Sequence, residues 1–477
     1  MSRLRFKQNI YFVAIGQVAQ KLLAFALIPF AARDLGDVGF GQFSLASALM
    51  FVIVLLNDWG MSTYLTREIA RKKDQLSFFF WNALSLKIFL VVFDFLILLL
   101  YLRFANYTAE TNRAILIFAA YGITSSLMQL TVGVYEAFEK MEFEAIVLTL
   151  EKIIITGLGI YALRNGYGLL PFCAVFVIGG LASFLISFVL VKIYFPITQY
   201  PVSVSGTRKI FMNSLPFGLS LLFATIYNYT GIFVLSLMKT SEEVGWFSAG
   251  FKLINITNLI PLILCGAIYP LLSRELHQEH SLRIKNLYSQ GFKYLFFLAL
   301  PMIVGVMLLA DRLIPFIFGD EFLSAVPTLR IMVLTAALVF FNLYFTSVLK
   351  AANYQKTMVR VQGFALAMNI IVNVVLISLS SFQGAAWATV CTELFIFSTY
   401  LIMIQKRVTR LERSGFWLKG IGATLVMGFF IRYFGSLHII LLMGLSILLY
   451  FPVLYLFRGF TLSEIIPYTR NQEDKTA

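Results

Sequence analysis

The chain has 477 residues, of which 59% are hydrophobic, 16% aromatic and only 13% charged. A soluble core of this length cannot hide so much apolar surface, so the composition excludes a soluble globular protein and predicts a membrane protein. The formal net charge is +14. We attribute it to cytoplasmic loops that face anionic lipid headgroups rather than to nucleic-acid binding.

In chain order, fourteen apolar stretches are long enough to cross about 30 Å of hydrocarbon at about 1.5 Å per residue. The predicted spans are Tyr11–Phe30, Phe43–Trp59, Phe78–Leu102, Ile115–Tyr135, Ile146–Leu163, Leu169–Tyr194, Phe211–Leu237, Trp246–Leu272, Tyr294–Ala310, Leu329–Leu349, Val359–Leu379, Ala385–Ile404, Phe416–Phe434 and His438–Phe457. Basic residues are concentrated in every second connection, as at Lys73, Arg283 and Arg410. Because cytoplasmic loops carry an excess of Lys and Arg, this alternation predicts that both termini lie in the cytoplasm.

Short motifs indicate that spans one to six repeat as spans seven to twelve. Asp37–Phe40 precedes the second span as Glu243–Trp246 precedes the eighth, and Gly168 precedes the sixth span as Gly384 precedes the twelfth. Both halves begin on the same side, so the repeats are parallel and enclose a central cavity. We therefore predict an all-α polytopic membrane protein with six-helix bundles over residues 1–200 and 201–410, followed by two additional helices and a cytoplasmic tail over 411–477.

The sequence also argues against several functions. The polar connections leave no room for a nucleotide-binding domain, and the chain has no GxxxxGK(S/T) phosphate-binding motif, so ATP is not its direct energy source. The external connections are short, which disfavours an enzyme. All three cysteines, Cys173, Cys265 and Cys391, lie inside predicted spans, so we expect neither a disulfide framework nor a metal site, and no cofactor.

Several longer motifs occur together in one order along the chain. They are Arg33–Gly36, Val38–Ser44, Asp58–Met61, Thr66–Ala70, Glu243–Ala249, Tyr269–Arg274, Ile317–Phe322 and Gly384–Thr389. In this order they resemble the Wzx-type O-antigen and polysaccharide repeat-unit flippases, whose superfamily also contains multidrug exporters and lipid II flippases. One departure is Tyr227–Gly231 in the seventh span, where many relatives carry an acidic residue.

The resemblance implies a protein of the bacterial cytoplasmic (inner) membrane that works by alternating access. Its substrate would be an undecaprenyl-pyrophosphate-linked oligosaccharide, moved from the inner to the outer leaflet. The implied partners are membrane lipids, an H⁺ or Na⁺ coupling ion and a polysaccharide polymerase that uses the exported repeat unit.

Three lysines, Lys21, Lys87 and Lys252, lie well inside predicted spans. An ammonium in the middle of a bilayer costs about 2.5 to 3.5 kcal/mol, so each lysine should face a wet cavity or a partner. A diphosphate is such a partner, and we predict that these lysines form a cationic substrate-binding cavity. For Lys87 the alternative is a pair with Asp94, seven residues further along the same helical face.

Three acidic residues, Asp58, Asp94 and Glu393, are candidates for H⁺ or Na⁺ coupling, although structural pairing explains each of them equally well. Arg67 lies beside Arg71, Lys72 and Lys73. It is a candidate for gathering the anionic headgroup from the inner leaflet, but a basic cluster is also the usual composition of a cytoplasmic loop.

The sequence therefore predicts a lipid-linked oligosaccharide flippase that catalyses no reaction. The first alternative is a multidrug or organic-cation antiporter of the same superfamily, and the second is a membrane glycosyltransferase or polymerase. The charge of the cavity distinguishes the flippase from the organic-cation antiporter, because an organic-cation exporter requires carboxylates and aromatic rings in its cavity.

Overall fold

A computed structural model of the protein describes residues 3–277, 281–411 and 415–460. Within these ranges the chain forms fourteen α-helices and no strands. They are α1 (Arg3–Asp58), α2 (Met61–Arg71), α3 (Leu76–Ala105), α4 (Ala109–Ala137), α5 (Met141–Arg164), α6 (Leu169–Tyr194), α7 (Val204–Met238), α8 (Ser241–Thr257), α9 (Leu259–His277), α10 (Ser281–Phe318), α11 (Val326–Ala351), α12 (Gln355–Arg407), α13 (Phe416–Tyr433) and α14 (Ile439–Leu456). The predicted all-α polytopic fold is confirmed.

Eleven helical segments of the described chain are long and apolar enough to cross a membrane. Two of them, in α1 and α12, contain two predicted spans each. The eighth predicted span is divided at Asn258 into α8 and α9. The short helix α13, which contains Lys419 and Arg432, is not among the eleven.

Two predicted connections are sharp bends within continuous helix. In α1 the bend is at Gly36, whose φ of 68° and ψ of −179° suit glycine because it lacks a Cβ. In α12 the bend is at Ser380 and Ser381, and Ser381 has a φ of 51°. Each bend separates two arms that correspond to consecutive predicted spans, so the predicted order of spans is retained.

The first pair of repeat motifs forms a helix crossing. Trp246 Nε1 donates a hydrogen bond of 3.1 Å to Asp37 Oδ2. A Cβ at Gly41 would overlap the carbonyl oxygen of Ser241, and one at Gly245 would overlap that of Asp37. The motifs therefore require glycine because two helix backbones meet there, as small residues permit in membrane helices.

By compactness the chain divides into two units. The first comprises Met1–Ser248 with the short segments Ile317–Phe322 and Asn373–Ala385, and the remaining described residues form the second. The predicted regions 1–200, 201–410 and 411–477 stay a prediction. Residues 461–477 of the last region lie outside the described residues.

Helix α2 is amphipathic and has a defined position in the first unit. Met61, Tyr64, Leu65 and Ile69, spaced along one helical face, are buried against α3, α4 and α7. Before α2, the backbone turns at Trp59 and Gly60, whose φ angles are 43° and 74°. This turn packs so closely on α7 that a Cβ at Gly60 would meet Phe217 and Gly218. The opposite face of α2 carries polar residues.

Candidate substrate-binding site

The polar face of α2 lines a cavity of about 510 Å³ in the first unit. Its lining residues come from α2 and α4 and are Ser62, Thr63, Thr66, Arg67, Gln129, Val132 and Glu136. Thr66 Oγ1 donates a hydrogen bond of 3.0 Å to Glu136 Oε2 and thereby joins the two walls. We call this space the α2 cavity.

Arg67 is held at the α2 cavity by contacts on its own helix and on α7. Its guanidinium lies over the rings of Tyr64 and Phe217, at 5.5 and 5.4 Å from their centroids. It also forms an ion pair of 3.0 Å with Glu68. The Arg67 side chain is 47% exposed, so solvent screens this pair and its contribution to stability is small. These contacts orient a cation that remains accessible at the cavity.

A second cavity of about 410 Å³ lies next to the first, because Gln129 and Val132 line both. We call it the α5 cavity. Its walls come from α1, α4, α5 and α6, and the lining residues are Ser47, Met50, Phe51, Val54, Phe118, Tyr121, Ser125, Met128, Gln129, Val132, Leu148, Glu151, Lys152 and Phe176. The polar lining residues of the α5 cavity all lie inside predicted apolar spans.

A hydrogen-bonded cluster of Tyr121, Glu151 and Lys152 lines the α5 cavity. Tyr121 Oη donates to Glu151 Oε1 at 2.5 Å, and Lys152 Nζ donates to the same carboxylate oxygen at 3.2 Å and to Tyr121 Oη at 3.1 Å. The Glu151 side chain is 5% exposed and that of Lys152 is 27% exposed. The cluster therefore brings one negative and one positive charge together, and the Lys152 side chain is the more exposed of the two.

The predicted site residue Lys87 lies in a different environment. It is completely buried, and its Nζ donates to Asp58 Oδ1 at 2.5 Å and to both the carbonyl oxygen and the hydroxyl of Ser126 at 2.8 Å. Its carboxylate partner is thus Asp58, on α1, and not Asp94, further along α3. Lys87 lines neither cavity, because these bonds enclose the ammonium between α1, α3 and α4.

Asp58 and Asp94 belong to the same buried network as Lys87. Asn57 Nδ2 donates to Asp94 Oδ2 and to the Lys87 carbonyl oxygen, both at 3.0 Å. Asp58 Oδ1 also accepts a hydrogen bond of 2.5 Å from the Ser62 hydroxyl. Since Ser62 lines the α2 cavity, the network lies directly behind that cavity. It contains two carboxyl groups and one ammonium.

The other predicted site residues are not among the residues that line these cavities. Lys21 is exposed on the first arm of α1, in the first unit, and Lys252 is half-buried on α8, in the second unit. Glu393 is buried on α12, where its Oε2 accepts a hydrogen bond of 2.7 Å from Asn342. The shared cationic surface of Lys21 and Lys252 stays a prediction.

The prediction from sequence omitted Tyr121, Glu151 and Lys152. A signal was present, because Glu151 and Lys152 lie inside the predicted fifth span, Ile146–Leu163. Ionisable residues within a membrane span are expensive and usually face the bundle interior or a water-filled cavity. The same rule that selected Lys21, Lys87 and Lys252 therefore applies to this pair. Tyr121, on α4, has no such signal in the sequence.

Among the described residues, no group of three or more His, Cys, Asp and Glu side chains is arranged to hold a metal ion.

Long apolar helices that surround polar cavities define a polytopic membrane transporter. Residues 6–276 match the family described as "Polysaccharide biosynthesis protein", and the chain belongs to this family. Residues 216–375 also match the family described as MatE.

Two curated relatives are similar over most of the chain. One is a "Probable low-salt glycan biosynthesis flippase Agl15" of Haloferax volcanii, 24% identical over 77% of this chain and 76% of the relative. The other is a "Putative O-antigen transporter" of Escherichia coli K12, 21% identical over 85% of this chain and 98% of the relative. The predicted resemblance to O-antigen flippases is thus confirmed.

Solved structures share the fold. The lipid II flippase MurJ, in an inward closed conformation, matches with a TM-score of 0.79 at 15% identity and covers 94% of this chain and 99% of its own. An inward-facing multidrug-resistance MATE family transporter matches with a TM-score of 0.66 at 16% identity, over 84% of this chain and 100% of its own. At these identities the likeness concerns the fold alone.

Proposed function

We propose that this protein is a flippase that moves polyprenyl-pyrophosphate-linked oligosaccharides from the inner to the outer leaflet of the cytoplasmic membrane by alternating access. Family membership supports the proposal, and so do the two relatives, which are named as a glycan flippase and an O-antigen transporter. The transport itself requires no chemical reaction by the protein.

Charge balance in the cavities is the observation that carries the proposal. The carboxylate of Glu151 already binds Lys152 and Tyr121, and that of Glu136 accepts a hydrogen bond from Thr66. An exporter of organic cations requires a carboxylate that its substrate can neutralise. Each of the two cavities instead has one acidic and one basic lining residue. This balance favours a glycan substrate over the organic-cation alternative.

The buried network supports a role in ion coupling. Lys87 balances only one of the carboxyl groups of Asp58 and Asp94, so binding one H⁺ or Na⁺ would complete the neutralisation of the network. Asp58 also accepts a hydrogen bond from Ser62, which lines the α2 cavity. A change in the net charge of the network can therefore alter the binding of a substrate in that cavity. We include Glu393 as a second coupling candidate in the other unit.

The proposal also includes topology and the remaining cations. Both termini face the cytoplasm, which supplies the lipid-linked glycan, and a polysaccharide polymerase receives the exported unit. Arg67 gathers the diphosphate headgroup, and Lys21 and Lys252 contribute positive charge to its passage.

For Lys252 this role predicts that Lys252→Arg retains export of surface glycan and that Lys252→Glu, which repels the diphosphate, exports less than Lys252→Gln.

The proposed function is tested in cells that lack the protein. They should accumulate lipid-linked oligosaccharide with its sugar facing the cytoplasm, and the wild-type gene should restore surface glycan. Resistance to organic cations should not change. Loss of resistance without accumulation of the lipid-linked glycan would instead identify the protein as an organic-cation antiporter.

A further inference from the structure

We propose that the α5 cavity is a subsite for the uncharged sugar of the lipid-linked substrate, next to a separate headgroup position at Arg67 in the α2 cavity. This inference rests on the proposed function and deepens it. Tyr121, Glu151 and Lys152 would recognise the sugar, and Arg67 in the neighbouring α2 cavity would bind the phosphate groups of the same substrate.

The α5 cavity has the size and composition of a small-ligand site. At about 410 Å³ it falls within the range of about 300 to 1,000 Å³ that is typical of ligand pockets. Such pockets combine apolar walls with a few polar groups that fix orientation. Here the aromatic walls are Phe51, Phe118 and Phe176, and the polar groups include Gln129 and the Tyr121 cluster.

The aromatic rings of this cavity are held in place by other rings. Phe51 is stacked on Tyr229 of α7 at 5.2 Å with an interplanar angle of 13°. Phe118 and Phe176 lie 4.9 Å apart. The C–H groups on one face of a pyranose ring carry small positive partial charges, which the negative face of an aromatic ring attracts. Rigid rings therefore suit a sugar ring, since little entropy is lost on binding.

The polar cluster suits hydroxyl and acetamido groups. An ammonium has three N–H donors, and Lys152 uses two of them for Tyr121 and Glu151. A third donor on a partly exposed side chain is available to a ligand oxygen. The Ser47 hydroxyl donates to the Ser44 carbonyl oxygen at 3.0 Å and so offers a ligand only an acceptor. The Glu151 carboxylate and the Gln129 amide add acceptors, and the amide and the Ser125 hydroxyl add donors.

The exposure of its ion pair distinguishes this subsite from the phosphate position. The side chains of Lys152 and Glu151 are 27% and 5% exposed, whereas those of Arg67 and Glu68 are 47% and 19% exposed, so solvent screens the Arg67 pair more and a phosphate opens it at less cost. The charged lining residues of the α5 cavity are Glu151 and Lys152, which form an ion pair of 3.2 Å. A diphosphate would have to compete with the Glu151 carboxylate for Lys152, whereas a neutral hydroxyl forms hydrogen bonds without breaking the pair. Because Gln129 and Val132 line both cavities, a sugar in the α5 cavity lies beside a phosphate bound near Arg67.

The test compares two lipids on the purified full-length protein. One probe is the lipid-linked oligosaccharide extracted from cells that lack the protein, and the other is undecaprenyl pyrophosphate, which has no sugar. The variants Glu151→Gln and Tyr121→Phe keep the shape of the side chain and remove a charge or a hydroxyl. Lys140→Met is the matched control, because Lys140 forms an ion pair of 3.5 Å with Glu142 near the start of α5 and lines neither cavity.

We expect Glu151→Gln and Tyr121→Phe to raise the Kd for the lipid-linked oligosaccharide about 10-fold or more, as the loss of a hydrogen bond to a buried polar group does. The Kd for undecaprenyl pyrophosphate should stay at the wild-type value, and this unchanged affinity shows that the variants are folded. Lys140→Met should bind both lipids like the wild type.

Two results would overturn the subsite. Equal weakening for both lipids would mean that the cavity binds phosphate or only supports the fold, and wild-type affinity for the oligosaccharide in both variants would mean that the sugar binds elsewhere. A wild-type protein that binds neither lipid contradicts the proposed function itself, so the two failures are distinguishable.

Discussion

Replacing Lys87 with methionine should destabilise the first unit more than the loss of any exposed ion pair. The substitution removes a completely buried ammonium, its ion pair with Asp58 and two hydrogen bonds to Ser126. It leaves the Asp58 carboxylate, which is 5% exposed, buried without its counter-ion. Breaking a buried pair in this way costs about 3 to 5 kcal/mol, so we expect the free energy of unfolding to fall by this amount.

The assay is unfolding of the purified protein by SDS in mixed micelles, followed by circular dichroism, with a double-mutant cycle. Asp58→Asn alone should also destabilise, because it leaves the ammonium buried. The double variant Lys87→Met/Asp58→Asn removes both charges and should recover about 1 to 3 kcal/mol relative to the sum of the single effects.

Lys140→Met is the control, and its exposed pair with Glu142 should contribute at most about 1 kcal/mol. Additive effects in the cycle, or a loss below about 1 kcal/mol for Lys87→Met, would refute a buried ion pair between Lys87 and Asp58.

Two further predictions concern topology and helix packing. Reporter fusions after Lys73 should report the cytoplasm and fusions after Asn165 the outside, because basic residues collect in cytoplasmic connections; the reverse result at both sites would contradict the proposed orientation. Gly41→Ala should lower the free energy of unfolding by about 1 to 3 kcal/mol, because its Cβ would overlap the Ser241 carbonyl oxygen. Gly157→Ala, with no atom within 4 Å of the new Cβ, should be neutral or stabilise by up to about 1 kcal/mol, and equal effects of the two substitutions would exclude the close helix crossing.

Hydropathy predicts the spans well because each apolar stretch must satisfy its backbone hydrogen bonds within a helix, whatever its neighbours are. The bends are harder to predict. A glycine at position 36 indicates where a positive φ can occur. Ser381 also adopts a positive φ, but a serine gives no such indication in the sequence. Helix α2 is not among the predicted spans, because it is amphipathic rather than apolar.

The site is less predictable than the fold because it depends on which helices meet. Sequence spacing along α3 suggested Asp94 as the partner of Lys87, whereas the packing of α1 on α3 supplies Asp58. The contact between Tyr121 on α4 and Lys152 on α5 likewise joins residues 31 positions apart. A single sequence without this packing cannot separate a lysine that lines a cavity from one that is enclosed by protein.

Reconstitution tests the central claim most directly. The purified protein is placed in liposomes that carry the lipid-linked oligosaccharide in both leaflets, and a membrane-impermeant glycosidase is added outside. With a proton or sodium gradient applied, the protein should bring the inner-leaflet oligosaccharide to the outer surface, so that the enzyme digests nearly all of it. Digestion that stops at the outer-leaflet fraction under either gradient, as in liposomes without protein, would contradict a lipid-linked oligosaccharide flippase.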